Sequence, residues 1–492
     1  MLLEDAGERG GSRRTLGTRE LVIALTVLGA ALRFATLGVQ SIWQDEAATL
    51  MLVHRGLGGT LSHLSASESS PPLYYILVWL WTRVFGAGPL GFRSFSALIG
   101  SATIPAMYCA GRQISPRVGA WAALLSTVNP AMYYYSQEAR DYGLLILLCA
   151  VAYALWLRAL REQGTRSMAW WAFVSALALL THYFAVFVFL PQAWLLARRV
   201  GWRRARVPVG AVVLVGAALV PLAAAQRSSG KVDWIEEASL PSRIGETAKL
   251  FFVGVYGPVE ILTAFVGALL ALGALALLLR SGERAERDGA RDATLVLIGA
   301  FALPLALAAT HAVDVYDGRN VIGNWVPFAL LLACALASAR APRWAPAALG
   351  AGFVALSLAV VAAIDLVPAY QRDDWHGIAD ALGGGHAGRV VVSERFGQAP
   401  LSIYLPEVRK TSARTVSARE VAYVSLRVRH TGGAPSSPPI PRRAPAGFQL
   451  AGVTRREAFA VVRYRAPQTV TVTTKALRQV SPEGASEVSV QD

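Results

Sequence analysis

The chain has 492 residues, of which 54% are hydrophobic and 16% charged, with a formal net charge of +15. Soluble domains carry about 25% charged residues, and a string of such domains is excluded by the apolar runs of about 20 residues that fill 20–366. The basic excess is nearly all arginine, with lysine only at 231, 249, 410 and 475, and membrane topology accounts for it without nucleic-acid binding.

Residues 1–20 are polar, with Arg9, Arg13, Arg14 and Arg19, and no small-residue cleavage site follows them. They read as a cytoplasmic segment before an uncleaved first span at 21–39. Further apolar segments fall at 72–86, 92–111, 117–135, 142–160, 168–181, 184–198, 207–225, 258–279, 293–311, 321–338 and 345–365. Arginines mark the gaps 112–117, 158–166, 198–206, 280–291 and 340–343 as cytoplasmic. These gaps agree with one another only if one segment before 112 does not span. Segment 72–86 opens at Pro71–Pro72 and reaches only ~21 Å before Gly86, against a hydrocarbon core of ~30 Å. It reads as a juxtamembrane or re-entrant helix.

The expected fold is therefore a polytopic α-helical membrane protein with about 11 transmembrane helices and a juxtamembrane helix in the first outer loop. The outer loops are 40–91, 136–141, around 182–183, 226–257 and 312–320. Composition changes near Pro368. Asp373–Leu382 has helical spacing, and Arg389–Ser393, Val421–Val428 and Phe459–Tyr464 read as strands. Residues 431–446 are rich in Gly, Pro and Ser and read as a loop. The division expected is 1–20, a transmembrane domain 21–367, a small extracytoplasmic α/β domain 368–466, and a flexible tail 467–492. Cys109, Cys149 and Cys334 lie in apolar runs and offer neither a disulfide framework nor a zinc spacing.

Three outer loops carry candidate chemistry. Trp43-Gln44-Asp45-Glu46 follows the first span; its carboxylates could be a general base and its neighbour, or acidic loop residues beside an interfacial tryptophan. Tyr133 through Tyr142 surrounds Glu138, Arg140 and Asp141 with tyrosines. It suits a sugar, whose faces stack on aromatic rings, and a phosphate, which pairs with Arg. It also suits an aromatic belt around a satisfied ion pair. Asp314, Asp317, Arg319 and Asn320 form the third group, where Arg319 could hold a lipid phosphate or reach the head groups. His182 reads as a helix-end hydrogen-bonding residue or a ligand group, and Asp233 through Glu237 as a cover for the cavity or a surface loop. The span middles are nearly free of charge, Arg33 being the deepest, and a transporter usually carries ionisable groups there. The two acidic motifs could hold a divalent ion, although no ligand spacing demands a metal.

These motifs resemble those of the GT-C integral membrane glycosyltransferases. The family 39-like group, akin to protein O-mannosyltransferases and lipid A aminoarabinose transferases, is the nearest. The resemblance is carried by Asp45-Glu46, Pro71-Pro72-Leu73-Tyr74-Tyr75, Phe92-Arg93-Ser94, Pro130 through Tyr142, Thr181-His182-Tyr183-Phe184 and Arg319 through Pro327. It covers about 20–365. The chain departs from relatives at Ser70, where His or Lys is common, and at Asn320, where Tyr is common.

The resemblance implies an inverting glycosyltransferase of the bacterial cytoplasmic membrane. The donor would be a sugar, mannose-like or other, on polyprenyl phosphate. The acceptor would be an extracytoplasmic cell-envelope glycan, lipid or protein. Asp45 is then the expected base, with Glu46 and Glu138 as catalytic partners. Arg93, Arg140, Asp141, Tyr142, His182 and Arg319 are expected to bind the donor phosphate or sugar. The rival class is a lipid or glycolipid transporter, or a non-catalytic binding protein, on the same scaffold.

Overall fold

A computed structural model describes residues 17–228, 230, 233–311, 313–384, 388–427, 436–482 and 486–491. Most of the expected cytoplasmic segment 1–20 and the start of the 431–446 loop lie outside them. The helical part runs α1 (Thr18–Ala35), α2 (Gln44–Val53), α3 (Gly56–Ser67), α4 (Leu73–Phe85), α5 (Pro89–Arg112), α6 (Pro116–Val128), α7 (Pro130–Ser136) and α8 (Tyr142–Glu162). It continues with α9 (Thr165–Thr181), α10 (Ala185–Val200), α11 (Trp202–Arg227), α12 (Leu240–Val253), α13 (Glu260–Ser281), α14 (Arg284–Ala309), α15 (Trp325–Leu336) and α16 (Trp344–Leu366).

Among the described residues, five helices are long and apolar enough to cross a membrane by length and composition alone: α8, α11, α13, α14 and α16. The other expected spans are helical at the expected positions. They are shorter, charged at their ends or broken. The expected segment 117–135 is the clearest break, dividing into α6 and α7 at Asn129–Pro130. A residue before proline is driven to extended backbone. Asn129 adopts φ −60° and ψ 129°, and its side chain caps α7 by accepting from the Ala131 and Met132 N–H groups.

Helix α8 runs through the centre, with Tyr153 and Trp156 buried. Two indole N–H groups in this core are paired: Trp156 donates to the Gln192 carbonyl at 3.0 Å and Trp171 to its side-chain oxygen at 2.9 Å. Arg33 is buried and is consumed by structure. It donates to Ser136 Oγ and to the carbonyls of Gly29, Thr127 and Ser126, closing the α6–α7 break. A methyl group on Gly100 would lie 1.9 Å from Ser136 Oγ, so only glycine lets α5 approach α7 there.

Two loops are more structured than expected. Loop 40–91 holds three helices, not one, because α2 and α3 precede the proline-led α4. Loop 226–257 contains α12, which ends at Gly254 with φ +85° against Pro130.

The C-terminal part forms α17 (Trp375–Leu382), β1 (Arg389–Glu394), α18 (Gln398–Tyr404), β2 (Val408–Lys410), β3 (Thr415–Leu426), β4 (Gln449–Arg455), β5 (Phe459–Thr473), α19 (Thr474–Val480) and β6 (Ser486–Gln491). Asp374 caps α17 through the Gly377 N–H. The strands make one sheet in the order β2-β6-β1-β3-β5-β4, in which β1 and β3 are parallel and the other pairs antiparallel. Alternation along β1 splits the core: Val391 faces α17 and α18, while Val390 and Val392 face α19. The tail expected to be flexible is corrected by this sheet. Strand β5 continues to Thr473, and β6 lies between β1 and β2 with Val488 buried.

Candidate active site

The five loops expected on one face do meet at one end of the helical domain. Gln226 donates to the Leu64 and Ser70 carbonyls, and Tyr183 donates to Gln226. Arg243 of α12 pairs with Asp314 through two bonds of 2.6 Å and also holds the Tyr316 carbonyl. Between these loops lies a cleft of about 260 Å³. Its lining includes Trp43, Tyr134, Tyr135, Glu138, Tyr142, Trp234, Lys249, Tyr256, Asp317 and Arg319.

Asp45 and Glu46 are neighbours on α2 and therefore point about 100° apart. Asp45 does not line the cleft itself but reaches its rim through Arg319, a lining residue: its side chain is 35% exposed, and Arg319 Nη1 donates to it at 3.0 Å. Arg319 is fixed from two further sides. Asp317 lies 3.4 Å from Nε, and Trp234 stacks 4.3 Å from the guanidinium carbon. Trp234, expected in a cavity cover or a surface loop, thus lines the cleft.

Glu46 points inward and is fully buried. It accepts from Arg93 Nε at 2.8 Å, from Nη2 at 2.5 Å and from the Ala139 N–H at 2.8 Å. Burial pushes its carboxyl up, but Arg93 outweighs that and holds it below the usual carboxylate range. Arg93 spends its remaining donors on the carbonyls of Leu37, Gln40 and Ser41. Neither residue lines the cleft. Glu46, expected in catalysis, and Arg93, expected on a phosphate, lie behind the cleft wall, where they clasp loop 40–91 to α5 and to the turn before α8.

Arg140 is likewise turned away from the cleft. It donates to Glu68 and to Thr49 Oγ1, both at 2.8 Å. Glu68 also accepts from Tyr75 at 2.9 Å. Asp141 is buried behind the wall, and neither of its oxygens has a hydrogen-bond partner among the described residues. His182 is buried against Tyr142 with ring centres 5.7 Å apart, and its Nδ1 accepts from the Phe184 N–H. Burial pushes its pKa down, and the bond it accepts makes it a hydrogen-bonding residue of the wall. Tyr142 lines the cleft itself.

Glu138 lines the cleft, yet its Oε2 has no hydrogen-bond partner among the described residues. Burial, with Glu46 and Asp45 nearby, pushes its carboxyl up to about 7, against the pull of Arg372 and Arg140. Of the expected residues, the cleft therefore gathers Asp45 at its rim with Glu138, Tyr142 and Arg319. It leaves Glu46, Arg93, Arg140, Asp141 and His182 behind the wall.

Sequence reading passed over Lys249, Glu68 and Arg372. Lys249 reaches the cleft from α12, held at 2.8 Å by both Glu246 and Glu260, whose charges outweigh burial and raise its pKa. Its signal was its rarity, one of four lysines. Among the described residues no three His, Cys, Asp or Glu side chains converge to hold a metal ion.

Residues 69–224 match the Dolichyl-phosphate-mannose-protein mannosyltransferase family. No curated protein matches the chain. Among solved structures, ArnT from Cupriavidus metallidurans in the apo state is 13% identical, covering 90% of this chain and 97% of its own, with a TM-score of 0.57. The same protein bound to undecaprenyl phosphate is 12% identical, with the same coverage and a TM-score of 0.51. The apo oligosaccharyltransferase of Archaeoglobus fulgidus is 11% identical with a TM-score of 0.47; the match covers 79% of this chain and spans 64% of that one. The fold expected from the resemblance is borne out: the chain shares it with ArnT over nearly its whole length.

Proposed function

We propose that the chain is an inverting glycosyltransferase. It moves one sugar from a polyprenyl-phosphate donor to an acceptor hydroxyl at the outer face of a bacterial cytoplasmic membrane. The observation that carries the reading is a carboxylate and an arginine held together at the rim of a tyrosine-lined cleft, Asp45 with Arg319. The undecaprenyl phosphate bound by ArnT supports a polyprenyl phosphate as the donor's carrier.

In this mechanism the acceptor oxygen attacks the anomeric carbon as the bond from that carbon to the phosphate oxygen breaks. Polyprenyl phosphate leaves with the bonding electrons, and Asp45 takes the acceptor proton. A phosphate is already stabilised as an anion, so its departure needs cations more than a general acid. Arg319 and Lys249, which both line the cleft, supply them. When the donor phosphate engages Arg319, it competes with Asp45 for the guanidinium. The Asp45 carboxylate is then released from Arg319 and free to meet the acceptor hydroxyl with the donor in place. Tyr135, Tyr142 and Tyr256 offer rings on which a sugar packs. Glu138 orients the acceptor. The cleft-lining carboxylates and phosphate-binding cations favour group transfer over carriage of an intact lipid.

The experiment is release of polyprenyl phosphate from a panel of polyprenyl-phosphate sugars by purified protein, beside Asp45→Asn, with a membrane extract supplying acceptors. Release by the wild type alone supports the reading, and full activity in the variant removes Asp45 as base.

A further inference from the structure

Arg372 belongs to no motif. It lies on the short stretch that leads out of α16 into α17, and its side chain is nearly fully buried. Its backbone N–H donates to Gln40 Oε1 at 3.0 Å. Its guanidinium passes behind the cleft wall and donates to the Gln137 carbonyl at 3.0 Å and the Tyr134 carbonyl at 3.4 Å. The guanidinium carbon stacks 4.4 Å from the centre of the Tyr134 ring.

A buried charge is normally paired. Arg93 is paired with Glu46, Arg140 with Glu68 and Arg319 with Asp45. Among the described residues Arg372 makes no ion pair, and its Nε has no hydrogen-bond partner. The nearby Glu138 is a buried carboxylate with an unpartnered oxygen. The two lie near the end of α7, one from the C-terminal domain and one from the cleft wall, close enough for their charges to interact but not in an ion pair.

We propose that Arg372 is a positioning residue of the cleft, through which the docked C-terminal domain holds the Tyr134 ring and the Glu138 carboxylate in place. The docking that sets its depth is visible. Ser41 Oγ donates to Asp374 at 3.1 Å, the Ile42 N–H donates to Tyr404 at 2.8 Å, and Gln44 donates to Glu394. The C-terminal domain thus backs the wall of the cleft at Tyr134 and bears on the same stretch of chain, 40–44, that delivers Asp45.

The charged and titratable groups around Glu138 include Asp45 and Glu46 from α2, Arg140 from its own turn, Tyr135 and Tyr134 from α7, and Arg372, while Tyr142, Glu246, Lys249, Tyr256, Asp317 and Arg319 line the same cleft. Arg372 opposes protonation of Glu138 more strongly than Arg140 does. Its removal is expected to move the Glu138 titration to higher pH, an effect that mere loosening of the wall would not direct.

The test uses full-length protein in detergent with Arg372→Gln and Arg372→Lys. Dicyclohexylcarbodiimide reacts with protonated carboxyl groups, and its incorporation at Glu138 is read by mass spectrometry from about pH 5 to 9. Arg372→Gln is expected to raise the labelling midpoint by about one unit or more, and Arg372→Lys to return it toward the wild type. The acidic limb of kcat/KM for donor cleavage is expected to move with it. That second arm alone rests on the glycosyltransferase reading. Absence of donor cleavage by the wild type defeats that reading and leaves the labelling to decide on Arg372. Where Arg372→Gln does not fold, Gln40→Ala, which frees the Arg372 backbone, is expected to raise the midpoint by a smaller amount. A midpoint unmoved in the folded variant overturns the proposal.

Discussion

Asp45 and Arg319 are 274 residues apart in the chain and 3.0 Å apart at the rim of the cleft. The contact joins the first turn of α2 to the loop before α15, so it forms only when the helical domain is folded. It also couples the two halves of the proposed chemistry, because one guanidinium serves both the base and the incoming phosphate.

The coupling predicts non-additive kinetics. Asp45→Asn is expected to reduce donor cleavage by at least about a hundredfold, the lower range for loss of a general base. Arg319→Gln is expected to lose at least tenfold, and the double variant to be little worse than Asp45→Asn. Losses that multiply in a double-mutant cycle would mean that the two residues act independently.

Glu46 is expected to matter for folding. Removing one partner of a buried ion pair costs about 3–5 kcal/mol, so Glu46→Ala should lower thermal stability in detergent far more than Asp45→Asn. Its residual folded fraction should keep near-normal kcat. A Glu46 variant of normal stability and no activity would return it to the catalytic set.

Glu138 gives the reaction a pH signature. Its carboxyl is pushed up to about 7, and the acceptor-orienting form is the anion. Activity is therefore expected to fall as pH drops through about 7, and Glu138→Gln to abolish that limb along with much of the rate. A limb that persists in Glu138→Gln belongs to another group.

Lys249 is the second cation of the cleft. Charge-assisted hydrogen bonds contribute about 1.5–3 kcal/mol, so Lys249→Met is expected to weaken product inhibition by polyprenyl phosphate roughly 10- to 100-fold. Inhibition unchanged by the substitution would place the phosphate elsewhere.

Topology is tested apart from chemistry. A cysteine at Gly88, at the exposed N-cap of α5, in a background lacking Cys109, should react with an impermeant thiol reagent from outside. Labelling only after permeabilisation would put the cleft on the cytoplasmic side.

The apolar segments were legible because each is a run of residues at the scale of one span, and the helices stand where those runs do. The shared loop face was legible too, since the arginine gaps order the loops without reference to any motif. What escaped was direction and partnership. The pair Asp45-Glu46 names two carboxylates but not which one α2 turns toward Arg93. Arg372, Glu68 and Lys249 depend on partners far away in sequence or on a helix that was not foreseen. α3 is rich in glycine and serine and α2 opens on acidic residues, so neither gives a strong apolar period. Strand β6, Ser486–Gln491, carries only two valines, Val488 and Val490, and finds its place only between β1 and β2.

The central claim is transfer from a polyprenyl-phosphate sugar with Asp45 as base. The direct measurement is polyprenyl phosphate released by purified wild type and by folded Asp45→Asn across a donor panel. Release by the wild type and loss in the variant is the predicted result; equal release by both, or intact donor moved across a bilayer by both without cleavage, would contradict it.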